Sequence, residues 1–248
     1  MVNTMNGKRY AALDAIRGIA LINMVAYHAI WDLVHLFHFN WQWYHSEGAY
    51  LWQQAICCTF IFLSGFCQSF SKKPFRRGVS ISLAGLAITI VTLLFLPENR
   101  VVFGILTLLG SCMLIAAFTD PLLKRCRPVA GFSVSLFLFL LTRHIGDGYL
   151  GFSGAPLCYI PKDWYRNLVT TYLGLPMEGF YSTDYFGLFP WLFLFAAGYF
   201  LYRLCEKEKL LVHLEPSYIK PLEWIGKNSI RIYILHQPVL YALCFIFL

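Results

Sequence analysis

Seven apolar stretches, each close to the length that crosses a lipid bilayer, constrain this chain more than any motif in it. They cover 11–37, 50–70, 78–97, 101–118, 129–145, 186–204 and 229–248. A span needs about 20 mainly apolar residues, because the hydrocarbon core is roughly 30 Å thick. Unbroken runs of this length predict helices, which satisfy their own backbone in lipid; a β-barrel would show alternating strands. Composition agrees. Hydrophobic residues make up 58% of the 248 and charged residues 13%, where a soluble domain carries about 25% charged. The expected fold is an all-α polytopic membrane bundle, with 1–248 as one transmembrane domain.

The basic residues set an expected orientation. Lys8 and Arg9 precede the first span, and Lys72, Lys73, Arg76 and Arg77 crowd the loop after the second. Lys124, Arg125 and Arg127 follow the fourth, and Arg203, Lys207, Lys209 and Lys220 follow the sixth. The loops 38–49 and 98–100 hold one Arg between them. The positive-inside rule then puts the N-terminus in the cytoplasm and the C-terminus outside. The net charge of +7 is spread over these loops, which argues against a nucleic-acid surface. The first span is too long for a cleavable signal, and no small-residue cleavage site follows His38. The eight cysteines are scattered without Cys-x-x-Cys or zinc spacing, so neither a disulfide framework nor a metal site is expected.

The first span is unusual for its charges. "LDAIRGIALINMVAYHAIWDLVHLFHFN" carries Asp14, Arg17, His28, Asp32, His35 and His38. At about 100° per residue, Arg17 and His35 lie about −20° from His28, and Asp14 and Asp32 about +40°. These five groups share one helical arc, while Asn23 falls off it. Ionisable groups at membrane depth cost at least a few kcal/mol each, and they face a bundle interior or a watery path. Asp32, four residues after His28, is positioned to orient the imidazole and raise its basicity, as a general base requires. His38 and His45 belong to the outer loop.

Other features point the same way or are structural. "IGKNSIRIYILHQPVL" opens the last span with Lys227 and Arg231 and brings His236, Gln237 and Pro238 into it, where Pro238 is expected to kink the helix. Asp184 stands at the mouth of the sixth span as a candidate N-cap, ahead of Pro190 and Trp191. Glu98 and Arg100, in the short turn "PENR", read as a local ion pair. The outer segment 146–185 is rich in Gly, Pro and aromatics, and its "KDWYRNLVTTYL" predicts a short interfacial helix. There is no Walker loop, no dinucleotide fingerprint and no Gly-x-Ser-x-Gly elbow. Any chemistry is that of histidine and carboxylate.

Five stretches together resemble one family: "RYAALDAIRGIALINMVAYHAIWDL", "FIFLSGF", "VVFGILTLLGSCML", "LGLPMEGFYSTDYFGLFPWLFLFAAG" and "LEWIGKNSIRIYILHQPVL". In that order they resemble small bacterial membrane proteins related to the catalytic domain of heparan-alpha-glucosaminide N-acetyltransferase. The Arg17-to-His28 spacing is also similar to that in the acyltransferase-3 family. The resemblance runs from Arg9 to about Leu240. It implies an acetyl-CoA-dependent enzyme of the bacterial cytoplasmic membrane that moves an acyl group, usually acetyl, from cytoplasmic acyl-CoA to a saccharide acceptor across the bilayer. No metal is implied, and a homodimer is compatible with it.

In this reading the anionic head of the acyl-CoA meets Arg17, Arg76, Arg77, Lys227 or Arg231, and its thioester reaches His28 and Asp32. Asp14, His35, Asp184, Trp191, His236 and Gln237 line the acceptor's path. In the lysosomal members the position of His28 looks like an asparagine and the catalytic histidine lies near the place of His38. Both His28 and His38 therefore stand as candidates for the chemistry, either as general base or as an acylated intermediate. Thr107 and Gly187 depart from the His and Pro common at those places in bacterial relatives. The competing reading is a small proton-coupled transporter with Asp14, Arg17, His28 and Asp32 as its polar path. It lacks the internal repeats that transporters usually show.

Overall fold

A computed structural model describes residues 4–5, 8–217 and 219–247, with only the backbone of residues 4, 5, 8 and 9. After a two-residue pairing of β1 (Thr4–Met5) with β2 (Lys8–Arg9), the chain is mostly helical. Seven helical segments are long and apolar enough to cross a membrane: α1 (Ala11–His35), α2 (Glu47–Phe66, prolonged by a 3-10 turn to Phe70), α3 (Pro74–Phe95), α4 (Ile105–Leu123), α5 (Pro128–Leu141, prolonged by turns to Asp147), α7 (Leu188–Lys207) and α9 (Ser229–Phe247). Two short helices, α6 (Leu168–Leu173) and α8 (Lys220–Lys227), lie between them. The chain is an all-α polytopic membrane protein. Phe95, Phe118, Phe137 and Phe245 stay more than half exposed on these helices, as side chains facing lipid do.

The chain forms two compact units, one of Met1–Leu63 with Glu208–Leu248, the other of Ser64–Lys207. In the first, α1 packs on α8 and α9. Two glycines allow the closest approach: a Cβ on Gly18 would overlap the Leu222 carbonyl, and one on Gly226 the Asp14 carbonyl. Leu21, Met24 and Ile56 form the buried centre, walled by Trp52, Ile225 and Tyr233. Asn23, which falls off the polar arc, accepts from Trp52 Nε1 at 3.0 Å and so ties α1 to α2. Glu223, buried on α8, accepts from Ser217 Oγ at 2.6 Å. α9 runs without interruption through Pro238.

In the second unit, α3 packs on α4 and α5 on α7. Gly85 lies against Thr107 and Gly110 against Ser82, so Thr107 belongs to a helix seam. α4 starts at Ile105, later than the apolar run at 101 predicts, because Phe103 has φ 56 and Gly104 is extended. Asp184 Oδ2 accepts from Ile105 N at 3.1 Å. It therefore caps α4 from 79 residues away and not the helix it precedes. At the other end of α4, Arg203 donates to the carbonyls of Leu123, Lys124 and Cys126 at 2.7, 3.0 and 3.1 Å. Arg100 turns from its expected partner Glu98 to Tyr181, donating to its carbonyl at 3.2 Å with the guanidinium over its ring. The reason is that Thr183 N also returns to Arg100 O, which brings the two segments side by side.

The segment 146–185 holds more than the expected helix. β3 (Tyr149–Phe152) and β4 (Ala155–Tyr159) form an antiparallel hairpin across Ser153–Gly154, with Gly154 at φ 75. The short helix is α6, opened by a capping box in which Asn167 accepts from Val169 and Thr170 N–H groups, and closed by Gly174 at φ 116. Lys162–Trp164 is a separate 3-10 turn.

Candidate active site

The α1 stripe divides into two groups with different partners. Near the helix start, Asp14 is 2% exposed and accepts from Arg17 Nη1 at 3.0 Å, an i, i+3 ion pair. The close seam at Gly226 sets α8 against the backbone of Asp14. Lys227 follows directly and Arg231 one turn later, both exposed. These cations thus gather at one end of α1.

The second group lies in the far half of α1, where it meets α9. Asp32 is fully buried, and its Oδ1 accepts from Gln237 Nε2 at 2.5 Å. The His28 ring lies edge-on to His236, with centroids 4.9 Å apart. His236 is buried, and its Nδ1 faces the Tyr233 carbonyl at 2.5 Å. Asp32 therefore does not orient His28, although their spacing permits it. The Gln237 amide, reaching over from α9, takes the carboxylate, and the His28 ring turns to its fellow histidine. Three buried atoms of this group have no hydrogen-bond partner: Asp32 Oδ2, His236 Nε2 and Gln237 Oε1. That is a costly arrangement, since an unpaired buried polar group carries a penalty of about 1–3 kcal/mol.

Tyr44, in the 3-10 turn Gln42–His45, closes over this end of α1 and is buried. It shares a hydrogen bond with Tyr27. Burial holds the Tyr44 phenol well above its ordinary pKa, and the Tyr27 hydroxyl and the Asp32 carboxylate push it further. Neither tyrosine stands out in the sequence. Tyr44 sits among Trp41, Trp43 and His45 in what reads as an interfacial aromatic belt, and its neighbour Tyr27 shows only once the turn is folded.

His35 is exposed and stacked on Trp31, at 4.8 Å between ring centres and 12° between planes. His38 is exposed and stands outside the helix at φ 58. α1 unwinds just before it, with Leu36 and Phe37 N–H both returned to the Asp32 carbonyl and Phe39 N–H to Leu33. Helical phase therefore stops short of His38.

Arg76, Arg77, Asp184 and Trp191 belong to the other compact unit. Arg76 is exposed and Arg77 half-buried in the first turn of α3. Asp184 is occupied by its cap to Ile105, and burial pushes its carboxyl up to about 6, with that backbone N–H opposing the rise. Trp191 is 8% exposed, packed on Phe139 and Phe186 under the Arg143 guanidinium at 4.6 Å. Among the described residues no cluster of three His, Cys, Asp or Glu is arranged to hold a metal ion.

Membrane-length helices carrying buried ionisable groups define a multi-pass membrane protein with a polar site inside its fold. The model of the family "Heparan-alpha-glucosaminide N-acetyltransferase, catalytic" matches residues 9–238, and the chain belongs to that family of membrane acetyltransferases. No curated protein and no solved structure matches it.

Proposed function

We propose that the protein transfers an acetyl group from cytoplasmic acetyl-CoA to an amine or hydroxyl of a saccharide acceptor presented from the far side of a bacterial cytoplasmic membrane. The observation that carries this reading is the group on the membrane-length helices α1 and α9: two histidines, a carboxylate and an amide, with Asp32 and His236 buried and three polar atoms unpaired, in a chain of an acetyltransferase family. Groups that are expensive in a membrane-spanning helix are retained for chemistry. Acyl transfer asks for a base at the acceptor and a cationic mouth for the donor's phosphates.

In the orientation set by the positive-inside rule, Arg17, Lys227 and Arg231 face the cytoplasm and meet the phosphates of the donor. Arg17 is already braced by Asp14, which fixes its guanidinium at the cost of part of its charge. The pantetheine arm extends along α1 toward His28 and Asp32, where the thioester is attacked. Arg76 and Arg77 are a second candidate contact for the phosphates. His38, favoured as the chemical residue only by resemblance to the lysosomal enzymes, is the alternative position for the histidine step.

Calorimetry with acetyl-CoA on purified wild type, Arg17→Ala and His28→Ala tests the reading. The expected result is binding that survives His28→Ala and weakens about tenfold or more in Arg17→Ala, a loss of at least about 1.4 kcal/mol. A folded wild type that binds no acetyl-CoA at millimolar concentration would overturn it.

A further inference from the structure

Among the buried polar atoms of the α1–α9 seam, those left over are all of one kind. The His236 Nδ1 faces the Tyr233 carbonyl, and a carbonyl can only accept, so in the neutral ring the hydrogen sits on Nδ1 and Nε2 keeps a lone pair. Gln237 Nε2 donates to Asp32, which leaves the Gln237 Oε1 bare; a flipped amide would set that oxygen against a carboxylate. Asp32 Oδ2 is bare as well. Three unpartnered acceptors, two of them on residues at least nine-tenths buried, call for a ligand that brings hydrogens. A thioester carbonyl or a phosphate brings none. An amine or a hydroxyl does.

We infer that His236 is the base that takes the acceptor's proton, and that the free oxygens of Asp32 and Gln237 hold the remaining hydrogens of the acceptor's amino or hydroxyl groups. This rests on the acyltransferase reading above and assigns the acceptor side of it. Among the described residues no hydrogen-bonding group fixes the tautomer of His28, whereas the Tyr233 carbonyl fixes that of His236. His28, in edge contact with His236, is then the positioning residue that keeps the second ring in place.

The step balances as follows. The acceptor nitrogen or oxygen forms a bond to the thioester carbonyl carbon, and its proton passes to His236 Nε2. The carbon–sulfur bond breaks, and the imidazolium returns the proton to the departing thiolate, which leaves as the CoA thiol. The acylated product has one hydrogen fewer for the three acceptors and is held less well, which favours its release.

The test uses the full chain in detergent with acetyl-CoA and glucosamine as probes, reading acetyl transfer, acetyl-CoA affinity and the pH profile. For His236→Gln, transfer is expected to fall about 100-fold or more, with donor affinity unchanged and the rising limb of the pH profile gone. For His236→Gly, added imidazole is expected to restore part of the rate, a result that a merely structural role does not produce. Gln237→Leu should raise the KM for glucosamine more than it lowers kcat. Full transfer by His236→Gln, with His28→Gln inactive, overturns this assignment and leaves the acyltransferase reading standing. A wild type that neither binds acetyl-CoA nor transfers acetyl overturns both.

Discussion

The two compact units differ in what most of their polar side chains do. In the unit of residues 64–207 several polar groups close the ends of helices, while buried Gln68 donates to the Met113 carbonyl within α4 and keeps its Oε1 bare. Asp184 caps the start of α4, Arg203 covers three carbonyls at its end, and Tyr199 donates to Asp120 at 2.8 Å. In the unit formed by the two ends of the chain, Asp32, His236 and Gln237 lie within membrane-length helices and keep bare atoms. Helix ends need partners because their last carbonyls and first N–H groups have none within the helix. The Asp32 carboxylate, in the last turn of α1, covers no helix-end N–H and accepts from the Gln237 side chain instead. The polar groups of the unit formed by the two chain ends thus read as function and those of residues 64–207 as scaffold, and substitutions should separate activity from stability along that line.

The largest effect is expected at Asp32. Asp32→Asn keeps the size of the side chain and a partner for Gln237, so the melting temperature should hold, while transfer falls about 100-fold or more with the loss of the acceptor contact. A drop in melting temperature in step with activity would make Asp32 scaffold after all.

Arg203→Ala should do the reverse. Leaving the end of α4 uncovered is expected to cost about 1–2 kcal/mol, read by thermal unfolding in detergent, with the rate per folded molecule unchanged.

Asp184→Asn keeps a side-chain oxygen to accept from Ile105 N, so it should cost little at acid pH, and its effect should depend on pH. The folded carboxyl titrates at about 6 against an ordinary value of 3.8, so the folded state favours the protonated form. That contribution is complete below the ordinary value and disappears as pH rises through about 6. Wild type should therefore lose stability relative to Asp184→Asn between about pH 4 and pH 6. A difference that stays flat across this window would show that the carboxyl is not desolvated.

The smallest effect is expected at His38. A non-glycine residue at φ 58 is strained by about 1 kcal/mol, and His38→Gly should recover about that much in a denaturation experiment. Loss of transfer in this otherwise stabilised variant would carry the chemistry outward to His38 and redraw the active group.

Much of this architecture can be read along the chain. The seven spans follow from apolar length, and the placing of Asp14 and Arg17 on one arc of the first span follows from helical spacing, while their ion pair shows only in the structure. His28, Asp32, His236 and Gln237 can each be named because a polar side chain in an apolar run is conspicuous. Their connections cannot be. The spacing of His28 and Asp32 suggests a pair on one helix, but the carboxylate goes to Gln237, 205 positions away. Asp184 looks like the cap of the helix that follows it and serves another. The hairpin of Tyr149–Tyr159 hides in a segment with no clear alternation of polar and apolar residues.

The physical reason is one of range. A helix in lipid satisfies its backbone from its own neighbours, so hydropathy and length determine where it forms. Side-chain pairing depends on which donor arrives first at a given oxygen, and that donor can sit on any helix the packing brings near. The sequence by itself determined a seven-span membrane bundle with an ionisable first helix. Only the tertiary structure decided that α9 meets the far half of that helix, that Gln237 takes one oxygen of Asp32, and that a ring nitrogen of His236 is left with its lone pair.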